Sequence, residues 1–118
     1  MTPHELAIIA AKALDEKKGK EINAIEVYNL TALTDYFVIA SGSSVPQVKA
    51  LAEEVEAKLS RMGLEPKRVE GSQTASWILL DYYDVIVHVF LEETREFYSL
   101  ERLWSDAERV DLSKILTD

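Results

Sequence analysis

The chain holds two histidines, His4 and His88, and no cysteine. Disulfides, thiolate metal sites and cysteine nucleophiles are therefore excluded, and two isolated histidines do not make a zinc site. His4 falls in the first turn of a predicted helix, an exposed position. His88 lies between Val87 and Val89 in a predicted strand. A partly buried, hydrogen-bonded histidine is the plainer reading there than a general base. Phosphate chemistry is the sharper option. Gly42-Ser43 closes an apolar run and opens into a helix, the kind of turn that contacts phosphates in nucleotidyl transfer. That chemistry also needs two or three carboxylates on neighbouring strands to hold divalent metal ions. There is no Asp-x-Asp pair: two residues separate Asp81 from Asp84 across a predicted turn, and no Walker-type loop is present. A tight strand-to-helix turn is the first reading of Gly42-Ser43. The alternative is a metal-dependent enzyme using Gly42-Ser43 with acidic residues.

The elements that would position these residues follow from the patterning. Thr2-Pro3-His4-Glu5 offers an N-cap, a proline at the first helical position and a capping-box glutamate. Leu6, Ile9, Ala10, Ala13 and Leu14 form an apolar stripe behind it, with Gly19 expected as the C-cap. Ile22–Tyr28 and the continuous apolar run Asp35–Ser41 read as strands, the second covered on both faces. Ser44 caps a second helix that buries Val48, Leu51, Ala52, Val55, Leu59 and Met62 and stops at Gly63. Glu65–Glu70 returns as a strand after a right-handed crossover. Trp77–Tyr82 and Val85–Leu91 form a hairpin around Tyr83-Asp84, and a helix from Thr94 to Trp104 breaks at Ser99. The expectation is one α/β domain over 1–106, a mixed five-stranded sheet with flanking helices, followed by a charged C-terminal tail, 107–118.

With 118 residues, 47% hydrophobic and 29% charged, the chain suits one globular domain. Its formal charge is −8, which disfavours direct nucleic-acid binding and suits a basic partner. The acidity is uneven. Residues 1–63 carry 7 basic and 9 acidic side chains, net −2, whereas 64–118 carry 6 and 12, net −6. Neither face of the hairpin is conventionally polar, so either the helices cover both sides of the sheet or one face is covered by another chain, which is the preferred reading. Trp77, Tyr82, Tyr98 and Trp104 are aromatic anchors of the type enriched in interface hot spots. No membrane span or secretion signal is visible, which implies a cytoplasmic protein.

Three stretches together are more specific than any of these motifs: Leu33-Thr34-Asp35-Tyr36-Phe37-Val38-Ile39-Ala40-Ser41-Gly42, then the run Trp77 to Phe90, then Arg95-Glu96-Phe97-Tyr98-Ser99-Leu100-Glu101-Arg102-Leu103-Trp104. In this order and spacing the chain resembles the ribosomal silencing factor (Iojap) family, over nearly everything from the first helix to about Asp106. One departure stands out, since Tyr83 occupies a position where the family usually has glycine. The resemblance implies a nucleotidyltransferase-like α/β fold without catalytic carboxylates, no cofactor, and a homodimer when free. It also implies an activity: binding the basic protein number fourteen of the large ribosomal subunit and blocking subunit joining, especially under nutrient limitation. Trp77, Leu79 and Tyr82 would then form the dry centre of the contact. Asp81, Asp84 and Glu101 would pair with basic groups, and Arg95, Tyr98 and Arg102 would orient the rim.

Overall fold

The computed structural model describes residues 1–117. Helix α1 (Pro3–Glu16) begins at the expected capping box: the Thr2 amide donates to Glu5 Oε1 (2.9 Å) and the Glu5 amide to Thr2 Oγ1 (3.1 Å). Its buried stripe is small, with Ala7, Ala10, Ala11 and Ala13 between Leu6 and Leu14, which lets the helix lie close to the sheet. The helix ends differently from expectation. Lys18, not Gly19, takes the left-handed position (φ 62°), and the Gly19 amide donates to the Leu14 carbonyl at 2.8 Å.

Strands β1 (Lys20–Glu26) and β2 (Tyr36–Gly42) pair antiparallel. Ser44 caps helix α2 (Val45–Arg61), which turns Val48, Leu51, Ala52, Val55 and Leu59 inward; Met62 is exposed rather than buried. Strands β3 (Arg68–Glu70), β4 (Trp77–Asp81) and β5 (Val85–Leu91) follow, then two short helices, α3 (Glu92–Tyr98) and α4 (Leu100–Leu103). Ser99 separates these helices at φ 48°. A final strand, β6 (Glu108–Arg109), pairs antiparallel with β1. The sheet therefore has six strands rather than five, in the order β3-β4-β5-β2-β1-β6. Charge concealed the sixth, because two exposed charged residues carry no strand periodicity. The expected tail is held to the domain as far as it is described. Leu112 is buried, and the Thr117 amide donates to Asp15 Oδ2 at 3.1 Å.

β2 and β5 run parallel at the centre, and β3 is also parallel to β2 but sits at the edge, with β4 and β5 between them. Alternation along the strands makes two cores. On one face Val38, Ala40, Ile78, Leu80, Val85, Val87 and Val89 pack under α1 and α2. On the other, Ile25, Val27, Phe37, Ile39 and Phe90 meet Trp77, Ile86, Leu100 and Trp104. Among the described residues this second face is covered only by the 7-residue α3, the 4-residue α4 and the segment after them.

Candidate functional site

The thinly covered face carries the aromatic side chains. Trp77 enters it from β4 because the sheet alternates, and its ring lies 4.8 Å from Phe90, its cross-strand partner, and 5.1 Å from Tyr98 on α3. Its indole N–H donates to His88 Nδ1 at 3.1 Å. His88 is buried, with Phe37 edge-on to it at 4.9 Å. Burial pushes its pKa down to about 4, against the opposing charge of Glu101, so the ring is neutral at pH 7. Trp77 and Leu79 are half-buried. Beyond them Tyr98 is 53% exposed, Phe97 82% and Leu103 74%, a large apolar excess for two short helices. Acidic Glu92, Glu93, Glu96 and Asp106 are exposed on the same part of the chain, as is Arg102.

Four expected contact residues, Tyr82, Asp81, Arg95 and Glu101, are engaged within the domain. Tyr82 points to the α1–α2 side and is buried there, with burial raising its hydroxyl pKa, so it does not supply an exposed centre. The parity of β4 puts it opposite Trp77. Asp81 is also buried; its Oδ1 accepts from the Tyr83 amide at 2.9 Å and Oδ2 lies 3.6 Å from Arg68 Nε. It holds the turn. Arg95 is buried rather than at a rim. It donates to Ser41 Oγ at 2.9 Å and to the Lys20 carbonyl at 3.4 Å, and forms an ion pair with Glu101. Burial raises the Glu101 pKa, but the Arg95 and Asn23 hydrogen bonds outweigh it and hold the carboxyl below the usual range. Arg95 and Glu101 thus fasten α3 and α4 to β1 and β2. Asp84 is exposed, at the far turn, where its carbonyl accepts from Asp35 and Tyr36.

The geometry does not favour the phosphate alternative. Gly42 pairs with Leu91 at one end of the sheet, whereas Asp81 pairs with Ile86 at the other, about 17 Å away along the strands. A Cβ on Gly42 would stand 3.0 Å from Val48 Cγ2 and 3.1 Å from the Val48 amide nitrogen, so glycine is needed for close packing of α2. Ser43 is engaged by Gln47, whose Oε1 accepts from both its amide (2.7 Å) and its hydroxyl (3.0 Å). Among the described residues no group of His, Cys, Asp or Glu is arranged to hold a metal ion. A cleft of about 630 Å³ is lined by the Arg95–Glu101 pair with Lys20, Glu92 and Arg109 and mixes both signs of charge.

The model of the family described as "Ribosomal silencing factor during starvation" matches residues 1–118. The chain belongs to the ribosomal silencing factor family. The match runs through the C-terminal segment, beyond the limit near Asp106 expected from the motifs. The ribosomal silencing factor RsfS of Halalkalibacterium halodurans is 38% identical over 117 residues, covering 99% of this chain and all (100%) of that protein. A crystal structure from Chromobacterium violaceum superposes with a TM-score of 0.87 at 39% identity, covering 89% of this chain and 88% of that one. A more distant relative, mouse mitochondrial assembly of ribosomal large subunit protein 1, is 30% identical over 78% of this chain, which spans 42% of it. For a ribosomal silencing factor, the half-exposed aromatic face is the feature to explain. His88, Phe97 and Leu103 belong to it, and sequence reasoning had not assigned them there. No sequence signal marked Leu103, which lies three residues after inward-facing Leu100, at the spacing of the buried side, and is nevertheless exposed.

Proposed function

We propose that this protein silences translation by docking its aromatic face on the large ribosomal subunit, on the basic protein number fourteen, and standing where the small subunit must join. The observation that carries this reading is the coincidence of Trp77, Leu79, Tyr98, Phe97 and Leu103 on one incompletely covered face of a ribosomal silencing factor. Flanking carboxylates on α3 and after α4 suit a basic protein surface and are repelled by ribosomal RNA, which favours protein over RNA recognition. Arg102 and, at the far turn, Asp84 are exposed and free to meet groups at the contact's margin.

The action is occupancy rather than catalysis, needs no cofactor, and takes place in the cytoplasm. A body of 33 × 33 × 29 Å at a subunit bridge excludes the partner subunit by sterics alone. The frame is read as nucleotidyltransferase-like, turned from chemistry to binding, and the free protein as a homodimer. A standard contact of about 800 Å² per partner fits on this face. The test is cosedimentation with purified large and small subunits. Retention on large subunits alone, weakened at least about tenfold by Trp77→Ala with folding verified by circular dichroism, supports the reading, since a hot-spot truncation costs about 2 kcal/mol or more. Equal association with both subunits, lost in salt, contradicts it.

A further inference from the structure

His88 is a costly residue for the place it occupies. Its ring is surrounded by Phe37, Phe90 and Trp77, an environment that a leucine side chain also fills. Nδ1 accepts the Trp77 indole proton, so the neutral ring carries its own proton on Nε2. That Nε2 is buried and has no hydrogen-bond partner among the described residues. A buried, unpaired donor costs roughly 1–3 kcal/mol, a penalty that an apolar residue would avoid. The ring's one protein hydrogen bond goes to the half-exposed side chain at the centre of the proposed docking face.

We infer that His88 is a positioning residue for docking: by accepting the Trp77 N–H it fixes the indole against Phe90 and Tyr98 in the orientation that meets the partner. The inference rests on the docking reading above. Trp77 is half-exposed, so without its acceptor the indole N–H turns to water and the ring leaves its seat. Stability and affinity are therefore set against each other at this position.

Two substitutions separate them. His88→Leu removes the acceptor together with the orphan donor. His88→Asn puts an oxygen close to where Nδ1 stood but leaves a cavity in the core. The expected pattern is crossed. H88L has a urea midpoint equal to or above wild type, yet binds purified large ribosomal subunits about fivefold to tenfold more weakly, the equivalent of one neutral hydrogen bond. H88N is less stable but binds within about twofold of wild type, because the acceptor that positions the ring is restored. In a Trp77→Phe background, which has no N–H to hold, H88L causes no further loss. If affinity follows stability in both variants, or H88L weakens W77F as much as it weakens wild type, the inference is overturned. Should the wild-type protein ignore large subunits altogether, the docking reading fails, and the positioning claim is still read in the free protein. There the Trp77 indole N–H resonance is expected to move and exchange faster with water in H88L and to stay in place in H88N. An unmoved resonance in H88L overturns the claim.

Discussion

Tyr83 adopts φ 70° in the β4–β5 turn, with the Asp84 amide donating to the Tyr82 carbonyl at 2.9 Å across it. A bulky side chain in the left-handed region costs about 1–2 kcal/mol, so the turn is strained where the family's usual glycine would not be. Tyr83→Gly is expected to raise stability by about 1 kcal/mol, or roughly 4 °C in melting temperature, read by calorimetry. His88 makes a second prediction. Its folded pKa of about 4 lies below the ordinary 6.5, so between these values the unfolded chain binds a proton that the native one does not. Stability therefore rises with pH across that window and is lost on acidification. From pH 7 to 5 its share of the loss is about 2 kcal/mol, which H88L should lack in paired urea titrations. Residue types alone raised Trp77 and Tyr98 as expected anchors, and both lie on the thinly covered face. They did not reveal that Arg95 and Asp81 are engaged internally, because a charged residue shows its sign in a sequence but not its partner.

α3 and α4 meet at Ser99, in the left-handed region, and are held against the sheet by Arg95 and Glu101. Arg95→Met removes one member of a largely buried ion pair and leaves Glu101 with the Asn23 hydrogen bond. Such losses run to about 3–5 kcal/mol, and Glu101 is partly exposed, so the expected destabilisation is about 2–3 kcal/mol. Faster hydrogen exchange should appear in α4 before it appears in α1. Gly42→Ala is a simpler test of the same end of the sheet. It should lower stability by about 1–2 kcal/mol, measured by urea unfolding, because its Cβ meets the α2 backbone. Most of the fold was legible at this scale: the α1 capping box, the Ser44 cap of α2, the helix stripes and the apolar runs of β4 and β5 correctly located two helices and the hairpin. β6 was not, since its pairing with Ile25 and Glu26 depends on where the chain returns and not on its own two residues.

At the scale of the whole molecule, the proposed docking sets an acidic C-terminal half with an aromatic face against a basic ribosomal protein. Rising salt is expected to slow association far more than it shortens the lifetime of the complex, because the carboxylates steer from the margin while the apolar centre holds; stopped-flow measurements at two ionic strengths read this. The acidity was visible in the sequence, and so was the excess of apolar hairpin residues. Which face stayed open was not, because that depends on how little of the sheet an 11-residue pair of helices covers. The most direct measurement is light scattering of subunit joining, with large subunits first saturated with this protein and small subunits then added. The account predicts that joined particles fail to form and that Trp77→Ala restores them. Normal joining, with the protein demonstrably bound to every large subunit, would contradict it.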